Sequence, residues 1–502
     1  MCDRRVEARR GRCHDQGDRP RVGAERRVSK TEDAGSGGGF ALWGGRFEGS
    51  GLAPEADALN RSLPVDGRLW REELEVAGAW AEALGAMGAL ERAEIRRLFD
   101  GLEGVRARLA VGAAATASDE DIHTLVERLL REEIGETAGA LRTGRSRNDQ
   151  AATATRLWVM RAVDGLRDQL RRLQAALVAQ AETSVDAIAP AYTHLQRAQP
   201  IRFAQFFLSH FWALQRDQDR WAAVKVSAAA MPLGAGAIAG SGFAVDREAL
   251  RRRLGFDRLA PNSMDAVADR DFAAEFAFAG ALTGVHLSRL AEDLILFASS
   301  EFGFVRFADA YSTGSSLMPQ KRNPDVAELA RGQSAQLLGN VAAALALLKG
   351  LPSGYNKDLQ EDKVIIFRVY DTLNGLLPAF AGSVASLSID REAMVEALDP
   401  GILAVDIADA LVRQGIKFHE AHAVVGSLVR AAEQSGVSLF DISAELAVNL
   451  HPALPKALDE VTRGGLVAAC RRAVDSRSVS GGTAKEQVLE QIAAAQAALT
   501  DA

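Results

Sequence analysis

Cysteine is nearly missing from this chain: among 502 residues only Cys2, Cys13 and Cys470 occur. Three thiols cannot staple a fold of this length, and no CxxC spacing points to a metal, so a disulfide scaffold and a zinc module are excluded. The chain reads as reduced and intracellular, with a cytoplasmic location expected. Proline is scarce too, at 14 residues, against a usual share of about 5%. None falls between Pro64 and Pro190 or between Pro261 and Pro319, so long uninterrupted helices are permitted. Aromatics make up 6% of the chain. No apolar run reaches the roughly 18 residues of a membrane span, and no membrane partner is expected. Alternating β-branched runs and a strand–glycine–helix phosphate motif are both lacking, which argues against a sheet and a dinucleotide site.

What is present starts with charge. The formal net charge is −7, yet residues 1–39 hold ten basic against seven acidic side chains, so the rest is more acidic than the total suggests. Nucleic acid is therefore not an expected partner of the body. Residues 1–39 have few apolar side chains and end in a glycine run, which predicts a disordered extension without the apolar core of a signal peptide.

Beyond that extension the periodicity is helical. Val159, Val163, Leu166, Leu170, Leu173 and Leu177 step by three and four, the spacing of a coiled-coil seam. Leu287, Leu290, Leu294 and Phe297 form a second seam, and Val341, Leu345 and Leu348 a third. A bundle of long antiparallel helices satisfies all three, and the expected class is all-α. Loop signals at 189–200, 227–242, 311–325 and 350–358 interrupt the helices. The expected organisation is a helical domain at 40–143, a long-helix bundle at 144–397 and a smaller helical domain at 398–502.

Polar chemistry concentrates at the breaks. "TGSSLMPQKRNPD" (313–325) sets glycine, serines, prolines, Lys321, Arg322 and Asn323 into one loop, a composition suited to carboxylates. "TGRSRNDQ" (143–150) puts two arginines just ahead of a long helix, where free N–H groups already favour anions. Helix capping explains Asn148 or Asp149 but not Arg145 and Arg147. "AYTHLQRAQP" (191–200) holds Thr193 and His194, the latter readable as structural or catalytic. "YNKDLQEDK" (355–363) brings Tyr355, Gln360 and Lys363 onto one face if a helix begins near Lys357. "HEAH" (419–422) lacks the i, i+4 histidine spacing of a zinc helix and reads as an ordinary helix segment.

Together with "LWGGRF" (42–47), "DIH" (121–123), "DRDF" (269–272) and "GGTA" (481–484), these stretches resemble the argininosuccinate lyase branch of the fumarase/aspartase superfamily. The resemblance spans nearly the whole chain after residue 40. It implies a three-domain helical fold with a central bundle, and reversible elimination of a small-molecule substrate, argininosuccinate, to arginine and fumarate in arginine biosynthesis. No metal or organic cofactor is implied. It makes Ser315 the base on the Cβ proton, with Lys321 and Asn323 meeting the charge that develops on the adjoining carboxylate. His194, paired with Glu328, becomes the general acid or the holder of a water that is. Ser62, Asn148, Thr193, Tyr355, Gln360 and Lys363 match substrate-binding positions, and Ser146 and Arg147 are expected to assist. Arg142 stands where the family usually carries histidine, and His419 where arginine is common. The resemblance further implies a homotetramer whose sites draw on several subunits. Another superfamily lyase acting on an N-substituted aspartate, and a non-enzymatic crystallin-like homologue, remain as alternatives.

Overall fold

The computed structural model describes residues 52–113, 115–116 and 119–500. The expectations for residues 1–39 and for the 42–47 motif lie outside them. After two short helices, Pro54–Asn60 and Leu63–Asp66, come three longer ones, α1 (Trp70–Ala86), α2 (Arg92–Ala110) and α3 (Ile122–Ile134). A bundle of five follows: α4 (Arg147–Thr183), α5 (Ala204–Ala228), α6 (Asp271–Phe297), α7 (Asp325–Leu348) and α8 (Asp362–Ala385). The fold is all-α, and the strands among the described residues form only two-stranded ladders.

The proline-free interval explains α4. It runs 37 residues, about 55 Å at 1.5 Å per residue. Its six seam residues are all fully buried. Side-chain pairs fix the directions of its neighbours. Gln174 meets Gln215, and Arg156 meets Ser227, so α5 runs back along α4. Trp221 bonds Thr283 while Phe206 packs edge-to-face on Phe297, so α6 runs with α4. Arg331 of α7 pairs with Glu292, and Ser334 and Leu337 lie against Gly284, which makes α7 antiparallel to α6. Trp158 packs on Phe367 near one end and Gln180 bonds the Val384 carbonyl near the other, so α8 parallels α4. The bundle therefore has a start end, near residues 147, 228, 271, 348 and 362, and a finish end, near 183, 204, 297, 325 and 385. α8 is long and apolar enough to cross a membrane by length and composition alone, but Ile366, Val369, Leu373, Leu377 and Phe380 are fully buried in the bundle.

Two expectations need correction. The third seam does not line up on the core: Val341 packs against it, but Leu345 is 58% exposed, and the buried stripe of α7 is Ala327, Ala330, Ser334, Leu337, Asn340 and Ala344. α7 is apolar on two faces, and the one with smaller side chains packs inward because it allows the closer approach to α6. A Cβ on Gly284 would lie 2.7 Å from Leu337. Leu329, Leu338 and Leu345 are left on the surface of α7. Second, 189–200 is not an irregular loop but most of a hairpin, β1 (Ile188–Thr193) with β2 (Gln196–Arg202), irregular between Pro190 and Tyr192. Prolines oppose each other in it, and a bulge accommodates their missing donors. Its base is tied by tertiary bonds: Arg202 N–H to Thr483 Oγ1 at 2.8 Å and the Arg202 guanidinium to the Val185 carbonyl and Asp475.

Past the bundle, residues 398–474 build a second core around Leu403, Ile407, Leu411, Leu428, Leu454 and Cys470. The HEAH residues lie in a helix there, Phe418–Ser435, as expected. The last helix, Lys485–Thr500, returns to the bundle and places Val488, Ile492 and Ala495 in the main core.

Candidate active site

At the start end, Ser146 caps α4. Its hydroxyl accepts the Asn148 N–H at 3.2 Å while its own N–H bonds Asp149 Oδ1 at 3.2 Å. This reciprocal cap frees the flanking side chains for other work. The Arg147 guanidinium reaches Asp121 and the Thr124 hydroxyl, and Asn148 donates to the Ala237 carbonyl at 3.0 Å. Arg142, where the family usually has histidine, forms an ion pair with Glu127.

Behind this helix start lies a buried charged network. His123 Nδ1 is 2.6 Å from Glu73 Oε2, and Gln150 donates to the other Glu73 oxygen. Ser62 donates to Asp66 at 2.5 Å, and Asp66 accepts the Ile122 N–H at 3.0 Å. Burial pushes Asp66 above its ordinary range. For Asp121 burial acts the same way but is outweighed by His123, Arg147 and the bonds to Thr124, which hold it down to about 2. Opposed effects of this kind cluster where ionisable groups are assembled for function.

The 355–363 stretch completes this end. The sequence places a helix start near Lys357, and a 3-10 turn occupies Lys357–Glu361 before α8 begins at Asp362. Lys357 pairs with Glu120 at 2.9 Å, and Gln360 donates to the Asn60 carbonyl at 3.4 Å, joining the stretch to the segment that holds Ser62. Lys363 is buried, its ammonium 2.6 Å from Asp362 Oδ1, and the other Asp362 oxygen accepts from Arg270 of the DRDF motif at 2.5 Å. Tyr355 packs on Ala235, Ala260, Ala266 and Val267, and burial raises its phenol above the ordinary value.

The remaining candidates sit at the finish end. His194 and Leu195 are the two residues joining β1 to β2, with φ of 56° and 57°. Non-glycine residues at both turn positions are strained, a feature found at functional sites. Thr193 and His194 are exposed, and His194 has no hydrogen-bond or ion-pair partner among the described residues. In the 313–325 loop, Thr313–Gly314 pairs antiparallel with Arg322–Asn323, closing the loop at its neck, where Asn323 bonds Thr313 at 3.2 Å. Ser315 Oγ accepts N–H groups from Leu317 at 3.2 Å and Met318 at 3.0 Å. Donors aimed at a hydroxyl oxygen favour its deprotonated form. The Lys321 ammonium is exposed without an ion pair among the described residues, and Glu328 is exposed in the first turn of α7.

The chain thus gathers Ser62, Ser146, Arg147, Asn148, Tyr355, Gln360 and Lys363 at one end of the bundle, and Thr193, His194, Ser315, Lys321, Asn323 and Glu328 at the other. No hydrogen bond or ion pair joins His194 to Ser315, Lys321 or Glu328 among the described residues. Sequence reasoning did not single out Glu73 or Asp66, and it marked the 232–243 glycine segment only as part of a loop. The one available signal for Glu73 was a carboxylate beside the apolar run Leu74, Val76, Ala77 and Trp80.

A lyase family model matches residues 53–339, and a model of the argininosuccinate lyase C-terminal region matches 401–463. An argininosuccinate lyase of Roseiflexus sp. (strain RS-1) is 51% identical over 461 residues, covering 91% of this chain and 99% of that one. A probable argininosuccinate lyase of Schizosaccharomyces pombe is 44% identical over 460 residues, covering 91% and 98%. Among solved structures, an EDDS lyase superposes with a TM-score of 0.74 at 26% identity over 87% of each chain. A class II fumarase of Schistosoma mansoni, 18% identical with a TM-score of 0.68 over 81% and 90%, shares the fold. The motifs, the five-helix bundle and these matches agree: the chain belongs to the argininosuccinate lyase family of the fumarase/aspartase superfamily.

Proposed function

We propose that this protein splits argininosuccinate into arginine and fumarate at composite sites, each assembled from both ends of the bundle by different subunits of a homotetramer. The observation that carries the reading is the separation of the candidate residues by a helix of 37 residues, about 55 Å. One chain cannot close a small-molecule site across that length. The exposed apolar face of α7, with Leu329, Leu338 and Leu345, supports association of bundles through that helix.

In the proposed mechanism, Ser315 removes the Cβ proton of the succinyl moiety. The two N–H groups on its Oγ, and the ammonium of Lys321, which has no ion pair among the described residues, favour the alkoxide. Lys321 and Asn323 stabilise the charge that builds on the neighbouring carboxylate. The Cα–N bond then breaks, and His194, with Glu328, returns a proton to the leaving guanidine. His194 and Ser315 of one site come from different chains. Ser62, Ser146, Arg147, Asn148, Thr193, Tyr355, Gln360 and Lys363 bind substrate. The setting is cytoplasmic amino-acid biosynthesis.

The test is turnover, followed by the ultraviolet absorbance of fumarate, with argininosuccinate, adenylosuccinate and aspartate. Efficient release from argininosuccinate alone is expected. Comparable rates with adenylosuccinate or aspartate would overturn the substrate assignment, and absence of all three activities would favour the crystallin-like alternative.

A further inference from the structure

Asp149 is fully buried, and backbone donors occupy both its oxygens. Oδ2 accepts N–H groups from Gly234 at 2.9 Å and Gly236 at 2.8 Å, while Oδ1 accepts that of Ser146 at 3.2 Å. The two glycines begin a tight backbone turn. Both have positive φ, 91° and 62°, and a Cβ on Gly236 would lie 2.8 Å from the Gly240 carbonyl oxygen. From there the segment runs over the start of α4. Its Ala237 carbonyl accepts the Asn148 amide at 3.0 Å, and its Ser241 hydroxyl donates to the Gly144 carbonyl at 3.2 Å. The Ile238 side chain lies so close to Gly354, the residue before Tyr355, that a Cβ there would meet it at 2.7 Å. One buried carboxylate thus ties the helix cap to the glycine segment that contacts Asn148 and the approach to Tyr355.

We propose that ionised Asp149 is a positioning residue for the elimination, clamping the 232–243 segment against the start of α4 and so fixing Asn148 and Tyr355 for substrate. The inference rests on the substrate-binding roles proposed above for those two residues. At neutral pH the ionised carboxylate accepts all three N–H groups with no proton of its own to place. The charged groups facing it are Arg145, on the segment before α4, and Arg247, from the Arg247–Leu254 helix; residues 232–243 contribute none. Burial outweighs the N–H bonds and Arg145 and pushes the carboxyl up to about 6. Because the clamped carboxyl binds a proton more readily than a solvated one, lowering the pH through about 6 holds the clamp shut rather than releasing it.

Steady-state kinetics of the full-length enzyme and Asp149→Asn, with argininosuccinate from about pH 5 to 8, test the proposal. Asparagine accepts through one oxygen only, so it releases either Ser146 or the glycines. At neutral pH the variant is expected to lose about tenfold in kcat/KM, chiefly through KM. Equal kcat/KM at neutral pH overturns the clamp. Amide hydrogen exchange on the wild-type enzyme tests it without relying on the variant's folding. Protection of residues 232–243, corrected for the intrinsic rate, should rise as pH falls through about 6, and protection that stays constant or falls overturns the clamp. Asn148→Ala separates the two readings: a raised KM supports the binding role, whereas an unchanged KM removes it and leaves the exchange result to decide for Asp149.

Discussion

At Ser315 the deciding quantity is the acidity of a hydroxyl, because an ordinary alcohol is far too weak a base to take a carbon-bound proton. The loop supplies two N–H groups to Oγ, from Leu317 and Met318. Ser315→Ala is expected to lower kcat by at least about a hundredfold while substrate still binds, since the group acts mainly in the transition state. Single-turnover and equilibrium-binding measurements separate the two effects, and a near-normal kcat would remove Ser315 as the base. The loop was legible in the sequence because it is so unlike the helical chain around it, while the choice of Ser315 within it came from the family resemblance. Glu73 was not, and Asp149 was legible only as a helix-capping residue, because a buried carboxylate declares its wider role only when the fold shows what surrounds it.

Among the elements, the hairpin at 188–202 departs furthest from its sequence. Its turn uses His194 and Leu195 where the favoured chemistry is asparagine and glycine. A left-handed conformation costs a non-glycine residue about 1–2 kcal/mol. Leu195→Gly should therefore raise stability by about 1 kcal/mol, read as a higher denaturant midpoint. A lower midpoint would mean that Leu195, 70% exposed in the single chain, is packed in the assembled enzyme. α7 teaches the complementary lesson. Its helical character was plain, but its period did not reveal which of two apolar stripes faces inward, and side-chain size against α6 decided it.

For the whole molecule the consequence of the bundle is division: a single chain places the proposed groups at two ends and does not bring them together at either. Purified His194→Asn and Ser315→Ala proteins, each expected to be inactive, should regain a substantial fraction of activity when mixed and refolded together. Hybrid tetramers would then contain some sites with both wild-type side chains. Mass spectrometry verifies subunit exchange. If exchange occurs and activity stays at background, His194 and Ser315 of one site belong to the same chain.

The sequence by itself determined the helical class, the length of the helix that separates the two groups of candidates, and most of the candidate residues. Those features are local: proline spacing, apolar period and loop composition act over a few residues to a few turns. Only the tertiary structure decided that residues 188–202 pair as a hairpin, that the third seam does not line up on the core, and that Asp149, Gly234 and Gly236 meet. These depend on contacts between segments far apart in the chain, where burial, donor satisfaction and side-chain volume select one arrangement among several that the local pattern allows.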